Sequence, residues 1–190
     1  KFDNRQLSVQ VGSPILGLAS GIQNVGSVTS NGFEAAGTWH FMENWSLFGS
    51  YAYNASTYDS DVVDHAIDPI THLLVDVVIP TSGKTTVDTP KNLLKAQLSY
   101  DDDTVFGNLG MSYMSERYYT YTNDITVPSQ TVFDATLGYR FHGSDLAEGA
   151  SIQLNATNIF DKKYISTIGS GGFANSDPSG TMQTLLPGAP

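Results

Sequence analysis

The chain contains no cysteine among its 190 residues. A disulfide framework, a thiolate nucleophile and a thiolate metal site are therefore excluded. Positive charge is scarce: nine Lys and Arg face 19 Asp and Glu, for a net charge of −10. A nucleic-acid partner would want a basic patch and is not expected. Docking onto anionic headgroups through a basic surface is not expected either. No apolar run approaches the roughly 20 residues of a membrane-spanning helix. That absence speaks against spanning helices but not against a membrane barrel, whose strands show lipid only every second side chain.

Patterns that carry catalysis are also missing. No Ser-His-Asp arrangement, phosphate-cradling Gly loop or paired catalytic carboxylate stands out, so an enzyme is not expected. The four His share no metal-ligand spacing. Asp101-Asp102-Asp103 lacks the Gly-spaced loop of about twelve residues that calcium would want, and reads as a solvated turn. No cofactor and no metal are expected. The sequence opens on Lys1 with no signal peptide ahead of it, and is expected to be a stretch of a longer, processed protein.

What the sequence holds instead is aromatics and glycine: 10 Tyr, 9 Phe and 18 Gly. Their placement is periodic. Phe33, Ala35, Gly37, Trp39 and Phe41 alternate with Glu34, Ala36, Thr38 and His40. After Met42-Glu43-Asn44 the pattern resumes, with Trp45, Leu47, Gly49, Tyr51 and Tyr53 on one face. Leu94 to Tyr100, Val105 to Tyr113, Phe133 to Phe141 and Ala150 to Ala156 repeat the alternation. A period of two predicts strands with two different environments. A less regular strand, Lys1 to about Val11, comes first, and the Phe33 to Phe41 segment is expected to reach back to about Gln23, which makes seven.

The connections alternate in length. Met42-Glu43-Asn44 and Asp101-Asp102-Asp103 are tight and His142 to Gly149 is modest. Ser60 to Thr89, about Thr120 to Ser129, and Asp161 onward are long. Short periplasmic turns and long extracellular loops are the habit of outer-membrane barrels. The apolar stretch from Leu73 to Ile79 leaves two readings of the 60–89 region open: an extra hairpin, or a segment packed over the mouth of a barrel. Gly169 to Gly180 reads as a mobile loop.

Trp39, Phe41, Trp45, Tyr100, Tyr139 and Phe141 all fall on the apolar face within a few residues of a short turn. In register they would form one ring at one height, the aromatic girdle of a membrane–water boundary. Seven to nine residues of strand beyond it cover roughly 20 Å, close to a lipid-facing band. A soluble antiparallel sheet with one buried face uses the same alternation. Its solvent face would carry far more charge than the Ser, Thr, Asn, Gln and Gly found here. The expected class is all-β: an antiparallel transmembrane β-barrel portion.

The run Asn158-Ile159-Phe160-Asp161-Lys162-Lys163-Tyr164 has the form Asn-x-Phe-Asp-x-x-Tyr. It resembles the close of the penultimate strand in the C-terminal barrel of TonB-dependent outer-membrane receptors, and is the most specific of several such runs. Asn24 to Glu34, Phe2-Asp3-Asn4-Arg5-Gln6-Leu7, Thr89-Pro90-Lys91-Asn92 and Pro187-Gly188-Ala189-Pro190 support it. The resemblance implies a barrel of about 22 strands around an N-terminal plug domain. It also implies energising through the TonB complex. This chain would then be the C-terminal portion over residues 1–190, with the plug domain, the early strands and the last strand lying elsewhere. Seven strands leave two raw edges that lipid does not tolerate, which points the same way.

The expected function is active uptake of a scarce nutrient across the bacterial outer membrane, with a ferric siderophore first by family base rates. Carbohydrate or cobalamin uptake, a passive porin, or a structural barrel are the alternatives. The expected partners are outer-membrane lipid, the plug domain and remaining strands, the TonB complex and the small-molecule ligand. Arg117, Tyr118, Tyr119 and Tyr121, with Tyr58, His65 and His72, are candidate ligand anchors, because Tyr and Arg combine flat surface with donors. Outer-girdle and loop packing is the competing reading of the same tyrosines. Glu34, His40, Lys95, Asp134 and Arg140 are expected to face the lumen, bonding the plug or one another.

Overall fold

The computed structural model describes residues 6–11, 19–24, 27–67, 70–71, 73–143, 149–169 and 184–188. Among them every regular element is an antiparallel strand. β1 (Gln6–Val11) pairs with β2 (Ala19–Asn24). β3 (Val28–Met42) and β4 (Trp45–Tyr58) are the two longest strands and form a hairpin. β5 (Val62–Ile67) and β6 (Leu74–Ile79) make a smaller hairpin. β7 (Asn92–Asp101) and β8 (Val105–Met114) follow. β9 (Arg117–Tyr118) pairs with β10 (Thr126–Val127), then come β11 (Gln130–Arg140) and β12 (Ser151–Ala156). β13 (Ile165–Gly169) pairs with β14 (Thr184–Pro187).

Six strands join in one sheet, in the order β12-β11-β8-β7-β4-β3. The sheet does not close on itself: β3 and β12 are its edges among the described residues. Each neighbour in it is also a neighbour in the chain once the small hairpins are set aside, as expected of an up-and-down meander. Short polar turns set the register on one side. Asn44 takes the left-handed conformation at φ 65° between β3 and β4, a conformation asparagine tolerates better than most residues. A bulge between His40 and Met42 adds local twist beside it. Between β7 and β8, the Asp102 carboxylate accepts from the N–H of Thr104 at 3.0 Å and of Val105 at 2.6 Å. This is the side-chain mimicry of a turn that aspartate favours. Those bonds and one from the Tyr100 hydroxyl hold the Asp102 carboxyl below its ordinary range, the Val105 N–H contributing most.

The Cα register sorts the sheet into two faces. Trp39, Leu47, Leu98, Leu109, Ala135 and Ala156 stand in one row across all six strands. His40, Ser46, Ser99, Asn108, Thr136 and Asn155 stand in the next. The first row is apolar, the second small and polar, and the alternation persists along the strands. The apolar face is open. Trp39 is 67% exposed, Leu137 62% and Leu154 74%.

Three elements differ from the sequence expectation. The first expected strand joins not the sheet but β2, its own hairpin partner. The long strand expected from about Gln23 begins instead at Val28. Asp161 onward is not only loop: Ile165–Gly169 and Thr184–Pro187 pair, with a register shift between Ile165 and Thr167. Runs of four or five residues are too short for alternation to reveal. Of the two readings of the 60–89 region, β5 and β6 realise the hairpin. Phe2 to Arg5, residues 170–183, and Ala189-Pro190 lie outside the described residues, as does most of the His142 to Gly149 connection.

Candidate functional site

The apolar face carries two aromatic zones. Toward the short turns, Trp39 and Phe41 have ring centroids 5.6 Å apart, Phe41 and Trp45 6.5 Å, and Trp45 and Tyr100 5.0 Å. Farther along, Tyr139 and Phe141 lie 5.1 Å apart, edge to face. All six residues read from sequence as a girdle thus fall into two contiguous groups on one face. Between the groups, Tyr100 has Gly107 opposite it, and Val105 stands opposite Tyr139. Toward the long connections, Phe33 packs on Tyr51 at 5.6 Å and Tyr53 at 6.0 Å, and Phe133 on Phe160 at 5.2 Å. Phe33 precedes Trp39 by six residues, as Phe133 precedes Tyr139. Six residues at about 3.3 Å rise separate the two zones by roughly 20 Å along the strand.

The opposite face carries Glu34, His40, Lys95, Asp134 and Arg140; the row of Glu34 also holds Ala52, Leu93 and Met114. Arg140 grips the β7–β8 turn: Nη1 and Nη2 donate to the two carboxylate oxygens of Asp101 at 2.6 and 2.8 Å. Its guanidinium lies 4.2 Å from the centroid of the Phe106 ring. Asp134 accepts the Asn158 N–H at 2.8 Å. Glu34, His40 and Lys95 form no ion pair or hydrogen bond among the described residues. Asn155, part of a glycosylation-like triplet, accepts from the Thr136 hydroxyl at 2.9 Å within the sheet.

The Asn158 run is a built turn. Asn158 sits at φ 48°, and its carboxamide bonds both ends of one residue: Oδ1 accepts the Lys162 N–H at 2.8 Å and Nδ2 donates to the Lys162 carbonyl at 3.1 Å. The Ile159 N–H donates to the Phe133 carbonyl at 2.9 Å, which brings Phe160 onto the Phe133 ring. Downstream, the Gly188 N–H donates to the Tyr164 carbonyl at 2.9 Å, and a Cβ on Gly188 would fall within the Tyr164 ring. Gly188 and Tyr164 are therefore a matched pair in which only glycine fits.

Beyond the sheet, on the side of the long connections, lies a second layer. Val28, Tyr58, Val62, Ile79 and Tyr121 form its buried core, with Val87 packed against it. Tyr58 and Tyr121, both candidate ligand anchors, have ring centroids 6.1 Å apart within that core. Arg117 is buried as well, and its Nη1 donates to Asp88 Oδ1 at 2.7 Å. Tyr118 and Tyr119 are half-buried on the same connection. His65 lies on β5 opposite Asp76 in register, and His72 falls outside the described residues. The structure thus gathers Tyr58, Arg117, Tyr118, Tyr119 and Tyr121 into one layer, but only Tyr118 and Tyr119 keep substantial surface.

Sequence reasoning did not single out Asp88, Asn123 or the threonines that hold this layer. The Asn123 carboxamide bonds both the N–H and the C=O of Thr85, at 2.7 and 2.9 Å. The Thr120 hydroxyl accepts the N–H groups of Asp124 and Ile125 at 2.9 and 3.1 Å. Among the described residues, Thr120 and Thr81 are the largest fully buried side chains. The clustered Thr, Asn and Asp of these connections are a turn signal, but composition does not say which backbone groups they reach.

Residues 1–159 match the model of the family described as TonB dependent receptor-like, beta-barrel. The chain is 27% identical over 154 residues to the Ferrioxamine B receptor of Salmonella typhimurium, a match covering 78% of this chain and 19% of that receptor. It is 27% identical over 173 residues to the Ferric-pyoverdine M114 receptor PbuA of Pseudomonas sp. (strain M114), covering 85% of this chain and 18% of the relative. The chain thus spans about a fifth of the length of the curated relatives it matches. Among solved structures, the siderophore receptor PiuA from Acinetobacter baumannii superposes with a TM-score of 0.61 at 21% identity, over 85% of this chain and 21% of that one. The ferric citrate transporter FecA in its unliganded form gives 0.63 at 17% identity, over 97% and 26%. At these identities the structural likeness speaks for the fold alone.

Proposed function

The chain belongs to the TonB-dependent receptor-like β-barrel family, and on that premise we propose that it forms the C-terminal part of the barrel of a bacterial outer-membrane active transporter for a ferric siderophore. One observation carries the membrane reading: the exposed apolar face is bounded by two aromatic zones and backed by a polar face. In water, a continuous belt of exposed Trp, Leu and Phe is an aggregation hazard; against hydrocarbon it is the stable arrangement. The polar face then looks into a lumen. Its uncommitted Glu34, His40 and Lys95 are placed to meet a plug domain, while the free edges of β3 and β12 pair with the remaining strands. The siderophore reading draws on the relatives, which include receptors named for ferrioxamine B and ferric pyoverdine. Such a protein is a receptor and transporter rather than an enzyme, energised by the TonB complex.

Tyr118 and Tyr119 are the rim residues best placed to meet the ligand, being half-buried on the connection between β8 and β11. Tyr58, Arg117 and Tyr121 support them from the loop core. The test is uptake of ferric ferrioxamine B by the full-length receptor in cells lacking other siderophore receptors, with and without a working TonB. Uptake that needs TonB is expected; accumulation that persists without it would overturn active transport, and no accumulation would overturn this choice of ligand. Tyr118→Ala with Tyr119→Ala should leave the amount of assembled receptor unchanged and reduce uptake severalfold. Undiminished uptake would reduce both tyrosines to packing residues.

A further inference from the structure

Arg117 is 3% exposed, and both of its terminal nitrogens are engaged. Nη1 donates to the Asp88 carboxylate at 2.7 Å and to the Ser166 carbonyl at 3.3 Å, and Nη2 donates to the Ile165 carbonyl at 2.6 Å. Three segments far apart in sequence therefore meet at one guanidinium: its own strand β9, the 81–89 segment, and β13. The 81–89 segment is a strap across the loop-side end of the sheet. Tyr58 N–H donates to Lys84 O at 2.9 Å, Gly83 N–H to Tyr58 O at 2.8 Å and Thr86 N–H to Ser56 O at 3.0 Å. Asp88 N–H donates to Tyr118 O at 3.1 Å, so the end of the strap also fixes the backbone of a rim tyrosine. The β13–β14 hairpin is less well tied. Among the described residues, no other hydrogen bond joins residues 163–169 and 184–188 to the chain before Asn158.

We propose that Arg117 is a positioning latch that couples the strap and the β13–β14 hairpin into one body with β9, and so sets Tyr118 at the rim. The guanidinium suits this role for a chemical reason. Its planar fork reaches a carboxylate and two carbonyls in fixed directions, which an ammonium point charge does not. The charge stays buried because Asp88 offsets it and the two carbonyls bond the terminal nitrogens, while Nε has no hydrogen-bond partner among the described residues. The two attachments differ in kind: the strap is held by charge as well as by its own backbone bonds, the hairpin only by neutral carbonyl acceptors. The coupling stands independently of any ligand; only the placement of Tyr118 rests on the rim reading above.

Amide hydrogen exchange on the full-length receptor, read on peptides covering 84–88 and 165–169, tests it. Arg117→Ala should speed exchange in both peptides by about tenfold or more. Asp88→Asn should loosen the strap while leaving the hairpin protected, since the bonds to Ile165 and Ser166 remain. Arg117→Lys should do the reverse, keeping an ion pair to Asp88 and releasing the hairpin. Should Arg117→Ala fail to assemble, those two milder variants carry the test alone. An unchanged 165–169 peptide in both Arg117→Lys and Arg117→Ala would overturn the latch, as would equal loosening of the two peptides in Asp88→Asn. Ferrioxamine B affinity separates the two claims. Coupled exchange with weakened binding supports both; coupled exchange with unaltered binding keeps the latch and removes its consequence for Tyr118.

Discussion

The six-stranded sheet and the loop-side layer bury opposite things. In the sheet the large apolar side chains are on the outside: Trp39, Leu137 and Leu154 are more than half exposed. In the loop layer polar groups are inside: Thr81, Thr120, Ser115 and Arg117 are buried, as are Val28, Tyr58 and Tyr121. One chain thus follows two solvation rules, and the boundary between them runs near the Phe33, Tyr51, Tyr53 and Phe133–Phe160 zone. On the proposed membrane reading, hydrocarbon solvates the apolar face, so that face needs no core behind it. Above the boundary water returns, and the layer must build a small core while finding partners for its backbone. It has little apolar material there, so Thr hydroxyls, the Asn123 carboxamide and a buried arginine satisfy the loop backbone instead.

The sharpest way to break the comparison is to put charge on the open face. Leu98→Arg and Leu154→Arg should each cost about 2–4 kcal/mol if that face meets lipid near mid-depth. The measurement is the fraction of full-length receptor assembled in the outer membrane. An arginine in water would cost almost nothing, so wild-type assembly of both variants would place the face in water. The next effect belongs to the boundary itself. Asn158→Ala removes both carboxamide bonds to Lys162 and leaves a left-handed backbone with no amide to compensate. The expected loss is about 2–3 kcal/mol, read as a lower urea midpoint; Asn158→Gly, which keeps the backbone freedom, should recover part of it.

The two regions were also unequally legible. The sheet follows from a period of two, and the register keeps the paired residues assigned to the apolar face, from Phe33 to Ala156, on one side. Period two is a local property, and two faces of different polarity enforce it strand after strand. The Asn158 run was legible as a resemblance, but its mechanism, a carboxamide closing a turn on Lys162, needed coordinates. The loop layer has no such period. Arg117 meets Asp88 across 29 residues and Ser166 across 49, and no local pattern encodes either meeting. Tyr58 and Tyr121 illustrate the difficulty: aromatic type on a long connection suggests ligand contact, and only the fold places their rings against each other. β13 and β14 were missed for a related reason, being short strands joined across a long intervening segment.

The smallest expected effect discriminates the two solvation rules most directly, because it makes the same change in both regions. Thr81→Val exchanges a hydroxyl for a methyl of similar size in the loop layer. Thr81 is fully buried and its hydroxyl donates to the Ser60 carbonyl at 3.0 Å. The substitution adds apolar surface to a core yet leaves that carbonyl without its donor, so about 1 kcal/mol should be lost. Thr131→Val makes the identical exchange on the apolar face, where Thr131 stands opposite Tyr113. There, at the loop-side edge of that face beside the Phe133 zone, valine fits a strand well, so stability should hold or rise slightly. The paired urea midpoints of the full-length receptor, at unchanged slope, decide it. A loss at Thr131 equal to that at Thr81 would mean that both regions obey one rule and that the apolar face is not solvated by lipid.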